Sequence, residues 1–175
     1  GIYSFVNNGD FSKKEKFLKV KNADERTFQV LDENYARDSH NIYYKDKILS
    51  VKDKEEFQVL KLRTHEHDVY AIGWSKDGIY FEGKKISNEP LKGKAENVEK
   101  TIFKDSNGVY RFDVDYNNPK VSVKKLNIPV DAKCLDVRYT EWILEDDKYV
   151  YNPYLDKKTA KFPDFKWLNT VDLFR

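Results

Sequence analysis

Three histidines, one cysteine and a recurring aspartate are the residues of this chain whose types could support chemistry. His65 and His67 lie in "THEHD" (64–68), and alternate residues of a strand face the same way, so the two imidazoles could offer a pair of nitrogens to a metal. A zinc site needs further ligands at suitable spacing. Only Asp38 or His40, from a neighbouring hairpin, could reach in, so the cluster reads as a solvated loop and no metal is expected. "DVDYNN" (113–118) opens like a calcium loop, but that motif requires Gly at its sixth place and Glu at its twelfth. Asn118 and Lys124 stand there instead. Cys134, in "DAKCLDV", has no histidine near it in sequence and is expected as a small core residue. No nucleophile elbow and no phosphate-binding glycine loop occurs. The 30 carboxylates single out no acid–base pair. The expectation is therefore no catalytic residue and no cofactor.

The recurring aspartate has a plainer use. Asp38, Asp105 and Asp146 each stand five residues before a tyrosine (Tyr43, Tyr110, Tyr151), and a β-branched residue precedes each tyrosine. "WSKDGIYFEG" is a compressed version with Asp77 and Tyr80. An aspartate entering a turn accepts hydrogen bonds from backbone N–H groups about two residues on. Asp38, Asp77, Asp105 and Asp146 are accordingly read as turn formers. In "KDSNGV" Gly108 is expected to take a positive φ. Tyr149, at the corresponding place, would resist that conformation, so its turn is expected to differ.

Positioning such turns requires short strands on either side. A Phe-x-Val/Trp-Leu stretch recurs at Phe28–Leu31, Phe57–Leu60 and Phe165–Leu168, and is expected to be core. The unit reads as a polar turn, a strand from Phe, a strand into Asp, a tight turn, a strand through Ile/Val-Tyr, and a connector. The aspartates are 39, 28 and 41 residues apart, the irregular period of a repeat array with loop insertions. With 12 Tyr, 11 Phe and 3 Trp, the apolar content suits half-buried pleated surfaces. The fold expected is mainly β, about four to five hairpin units packed side by side in a single domain, 1–175. Short helical turns are expected at "NADERTF" and "AENVEK", and Leu91, Ala95, Val98 and Ile102 are spaced for a helix over 91–103. "GIYSF" looks like "NIYYK", and "FKWLNTVDLFR" like "FQVLDENYARD". The two ends could thus jointly complete one unit and close the array; a chain cut mid-repeat is the alternative.

"ADERTFQVLDENYARDSHNIYYKDKIL" (23–49) and "YAIGWSKDGIYFEGKKI" (70–86) resemble the DKNYY family of bacterial repeat proteins. The resemblance is close over residues 20–87 and looser beyond. It implies a repeat fold and an exported, periplasmic or membrane-anchored location, with a cytoplasmic one the alternative. It implies no activity.

Charge narrows the partners. Net charge is +2 with 35% charged residues, and only six of the 32 basic residues are Arg, so a nucleic-acid surface is not expected. No apolar stretch is long enough to span a bilayer. With no Met in the chain, Gly1 is not a natural start, and a processed N-terminal segment is expected to precede it. The partner expected is another protein, met where the chain departs furthest from the repeat. The segment 61–68 is read as an insertion carrying His65, His67 and Asp68, and 113–120 carries Asp113 and Asp115. Tyr44 and Tyr154 are the aromatics expected at exposed turns. A toxin-neutralising immunity protein would be one specific form. A carbohydrate-binding or carbohydrate-processing module, stacking sugars on Tyr43, Tyr44, Trp74, Trp142 or Tyr154 beside carboxylates, is the alternative.

Overall fold

The computed structural model describes residues 1–6, 16–64, 69–115, 120–135 and 143–161, and all regular structure among them is β. By its contacts the chain divides into two compact units, Gly1–Leu91 and Lys92–Arg175.

The first unit holds a two-stranded ribbon, β1 (Tyr3–Val6) with β2 (Lys16–Lys19), and two four-stranded sheets. The first sheet is β3 (Gln29–Val30), β4 (Tyr35–Arg37), β5 (Ile42–Tyr44) and β6 (Lys47–Leu49). The second is β7 (Gln58–Arg63), β8 (Val69–Ser75), β9 (Gly78–Phe81) and β10 (Lys84–Ser87). The second unit holds the third sheet, β11 (Glu96–Glu99), β12 (Ile102–Asp105), β13 (Gly108–Asp115) and β14 (Lys120–Leu126). Its fourth sheet is β15 (Lys133–Leu135), β16 (Ile143–Glu145), β17 (Tyr149–Asn152) and β18 (Lys157–Ala160). Every sheet is an antiparallel meander whose spatial order is its sequence order, as tight turns between consecutive strands dictate. Lys45 (φ 55) and the pair Glu82 and Gly83 (φ 48 and 75) supply left-handed conformations for two-residue turns between third and fourth strands.

Each third strand carries at least two consecutive buried residues, which marks burial on both faces there. Ile42 and Tyr43, Ile79 to Phe81, Val109 and Tyr110, and Val150 and Tyr151 are all buried. The partners differ by face. In the first sheet Tyr43 and Ala36 meet Val20, Ile2, Ala23 and Phe28. On the opposite face Tyr35, Ile42, Leu49 and Val51 meet Phe57 and Tyr80 of the next repeat. In the second unit Ile102, Val109 and Leu126 of the third sheet share a cluster with Leu144 and Tyr151 of the fourth.

Several expectations are corrected. No helix occurs among the described residues: 24–27 is a turn closed by Thr27 N–H to the Asp24 carbonyl (3.2 Å), and Glu96–Glu99 is a strand. Gly93, at φ 76, breaks the backbone between Leu91 and Ala95, and β12 offers the freed segment a ladder. Phe57 and Leu60 are buried, but Phe28 and Leu31 are only half-buried. Cys134 is exposed rather than core, because it lies on the sheet-edge strand β15. Lys61 to Arg63 are strand rather than loop: they extend β7, and Leu62 is fully buried opposite Tyr70. Asp113 to Asp115 likewise lengthen β13, in register with Lys120 to Ser122. Phe165, Leu168 and the proposed closure of the array lie outside the described residues.

Candidate functional site

Each repeated aspartate divides its two oxygens between two tasks. Asp38 Oδ1 accepts the N–H groups of His40 (2.7 Å) and Asn41 (2.6 Å), which fixes the turn between second and third strands. Asp38 Oδ2 accepts the Tyr43 hydroxyl (2.6 Å) and the N–H of Asp24 (2.9 Å), in the connector that leads into the sheet. Asp146 repeats the pattern with Lys148 and Tyr149 N–H (2.8 and 2.7 Å) and the Tyr151 hydroxyl (2.6 Å). Asp105 takes Asn107 and Gly108 N–H (2.7 and 3.0 Å) and, on Oδ2, the connector's Lys92 N–H (2.8 Å). Five residues separate Asp from Tyr because a four-residue turn followed by one strand residue returns the phenol beside the carboxylate.

This geometry removes the conflict expected at Tyr149. Among the described residues the positive-φ positions do not include Asn41, Gly108 or Tyr149, so the backbone at all three is one that any residue can adopt. Gly108 is small for another reason. A Cβ there would stand 2.6 Å from the Lys125 side chain, which lies across the Tyr110 ring.

In the second sheet the alignment through Asp77 is corrected. Ser75 pairs with Gly78 as Asp105 pairs with Gly108, and Tyr80 lies five residues beyond Ser75. Asp77 instead sits within the turn, bonded to the Ser75 hydroxyl, and its Oδ2 accepts the Tyr80 hydroxyl (2.8 Å) and Lys85 Nζ (3.1 Å). Gly78, at φ 142, takes a backbone conformation in this turn that a side chain would resist.

Burial would raise the Asp38 carboxyl, but the bonds from Tyr43, Asp24, His40 and Asn41 outweigh it and hold the group down at about 2. Tyr43 is pushed up to about 12, by burial first and by Asp38 second. Tyr80 and Tyr151 are raised from the same two causes. A carboxylate so engaged is a poor base, and a phenol so raised is a poor acid. The clasp is structural.

A different arrangement faces solvent in the fourth sheet. Asn152, buried at the end of β17, accepts the N–H groups of Tyr154 and Leu155 at its Oδ1 (3.0 Å each). Arg111 on β13 donates from Nη1 to the carbonyls of Pro153 (3.1 Å) and Tyr154 (2.6 Å). Its Nε and Nη2 grip Asp113 (Nε to Oδ1 2.9 Å, Nη2 to Oδ2 3.1 Å). Lys124 Nζ pairs with Asp156 (2.6 Å) across the far side of the same loop. The braced loop displays Tyr154, 37% exposed, and Leu155, 50% exposed. The Tyr154 hydroxyl is pushed up to about 12, by partial burial first and then by the charges of Glu99 and Cys134.

The model of the DKNYY family matches residues 3–174. The chain belongs to the DKNYY family. No curated protein and no solved structure matches it. In this DKNYY chain the structure brings together two residues singled out from sequence, Asp113 and Tyr154, through Arg111. Arg111 was not singled out, although an arginine one residue after the repeat tyrosine and two before an aspartate was visible. Asn152 was missed as well, since nothing local shows that its amide turns back into its own loop. Asp115 is exposed near the end of β13. Tyr44 is half-buried, edge-on to Tyr35 (centroids 5.1 Å apart), with Lys45 Nζ above its ring. Of the aromatics considered for sugar stacking, Tyr43 and Trp74 are fully buried. His65, His67, Asp68 and Trp142 lie outside the described residues. Among the described residues no group of three or more potential metal ligands occurs, and no helix is long and apolar enough to cross a membrane.

Proposed function

We propose that this DKNYY chain is a non-enzymatic, protein-binding repeat domain of an exported or envelope-associated bacterial protein, with a toxin-neutralising immunity protein as its specific form. The observation that carries the reading is the braced loop. Tyr154 and Leu155 are apolar, exposed and held by backbone bonds from Asn152 and Arg111. Preorganised apolar anchors gain affinity because little loop entropy remains to be lost on binding. The repeat's signature carboxylates are consumed by turns and tyrosines, which supports contact over catalysis.

The test begins by identifying a partner captured by the immobilised chain from an extract of the source cell. Its affinity is then measured by calorimetry for the wild type and for Tyr154→Ala/Leu155→Ala. Two anchors of this kind should cost about 2 kcal/mol or more, a loss of about thirtyfold. Unchanged affinity of the double variant would remove the loop from the site.

A further inference from the structure

The turn of the third sheet carries an Asn-Gly dipeptide, Asn107–Gly108; a second one, Asn8–Gly9, lies outside the described residues. An asparagine followed by glycine lets the main chain attack its own side chain, because glycine has no Cβ to block the approach. The Gly108 nitrogen would give up its proton and bond to Cγ of Asn107. The bond from Cγ to the side-chain nitrogen breaks, and that nitrogen takes up a proton and leaves as ammonia. Water then opens the resulting cyclic imide at either carbonyl, to aspartate or to isoaspartate. In the fold both reacting groups are tied down. Gly108 is buried, its N–H donates to Asp105 Oδ1 (3.0 Å), and it stands opposite Asp105 in the ladder. The Asn107 N–H shares that oxygen (2.7 Å), and Asn107 Nδ2 donates to the Tyr110 hydroxyl (3.1 Å). Asp105 is itself buried and held from the other side by the Lys92 N–H (2.8 Å). The corresponding places in the other sheets lack the dipeptide. Asn41 precedes the β-branched Ile42, and Lys148 precedes Tyr149. Asp77 precedes Gly78 as a carboxylate, a far poorer leaving group than an amide when ionised.

We propose that Asn107 is a self-modification site, kept unreacted by Asp105 and Tyr110 and released when the turn between β12 and β13 opens. The product is permanent. Isoaspartate routes the main chain through an added methylene, so Asp105 and Gly108 no longer face each other across the turn. The ladder that places Phe103 opposite Tyr110, both buried, cannot then close as before. Each opening of the turn therefore carries a chance of losing the third sheet for good. This site is separate from the exposed residues of the braced loop, and its chemistry does not depend on the proposed function.

The full chain and a free peptide spanning residues 102–111 are incubated side by side at mildly alkaline pH. Digests are mapped by mass spectrometry, with isoaspartate separated from aspartate by chromatography. Reaction at Asn107 should be about tenfold or more slower in the folded chain than in the peptide, because only the opened fraction reacts. Urea sufficient to unfold the chain should bring the two rates together. Asp105→Ala and Tyr110→Phe should each speed the reaction in the folded chain and leave it nearly unchanged in the peptide. Should Asp105→Ala fail to fold, the wild type in graded urea carries the test, with the rate at Asn107 rising in step with amide exchange at Gly108. Equal rates in the folded chain and the peptide overturn the guarding. Absence of product at Asn107 in the unfolded chain overturns the site. A rate indifferent to Gly108 exchange overturns the dependence on turn opening.

Discussion

Asp38 accepts four hydrogen bonds, three from backbone N–H groups and one from Tyr43. An asparagine could still close the turn through Oδ1. Its amide nitrogen, though, would face two donors where Oδ2 now accepts. Asp38→Asn is expected to cost about 3 kcal/mol, and Tyr43→Phe about 2 kcal/mol, on the scale of hydrogen bonds to charged groups; urea unfolding measures both. The same contacts set the pH range of stability. Asp38 is held at about 2, below its unfolded value, so its contribution is complete above roughly pH 4 and is lost as pH falls toward 2. Asp77 and Asp146 are lowered too and add to the same acid limb. Tyr43 is raised to about 12, so its contribution is complete below roughly pH 10 and disappears as pH rises toward 12. Unfolding midpoints measured across pH should be flat between these limbs. In Tyr43→Phe the alkaline loss should shrink.

Between strands, Gly73 on β8 fits closely against Phe57. A Cβ at Gly73 would stand 2.2 Å from the Phe57 ring, which packs in turn between Tyr35 and Tyr80. Gly73→Ala must therefore displace an aromatic that the first and second sheets share. A loss of about 2–3 kcal/mol is expected, the upper range for overpacking, and thermal unfolding of the variant checks it. Phe57→Ala should cost more, about 3–5 kcal/mol. Phe28, its sequence counterpart, is half-buried against Tyr43 (centroids 5.7 Å apart) and should cost less. The two phenylalanines occupy the same place in the repeat. They differ because Phe57 packs between Tyr35 and Tyr80, whereas Phe28 lines an open cavity beside β1.

For the molecule as a whole, contact is expected where hairpins project and loops brace themselves. β7 extends to Arg63 and β13 to Asp115. Replacing residues 65–68 by a short neutral turn should leave folding intact, whereas removal reaching Leu62 should not, since Leu62 is fully buried. Zinc or calcium is expected to leave the melting temperature unchanged. A substantial rise would make His65 and His67 the leading site.

The sequence determined the repeat, its strands and its turn chemistry. A turn is a local object: Asp38, Asp105 and Asp146 read correctly because their donors lie two and three residues away. Even there the reading was partial. The second oxygen of each carboxylate is spent on a tyrosine or a connector amide, and Ser75 rather than Asp77 holds the equivalent position, as strand register alone reveals. Periodicity over 91–103 suggested a helix, because Leu91, Ala95, Val98 and Ile102 are buried or half-buried at helical spacing. A glycine at φ 76 and an open edge on β12 made part of it a strand. Tertiary structure also decided which aromatics face solvent. Trp74 and Tyr154 look equally available in sequence, yet one is fully buried and the other rides a loop that Arg111 holds from 43 residues away. Burial depends on what packs against a residue, and that is settled by distant parts of the chain.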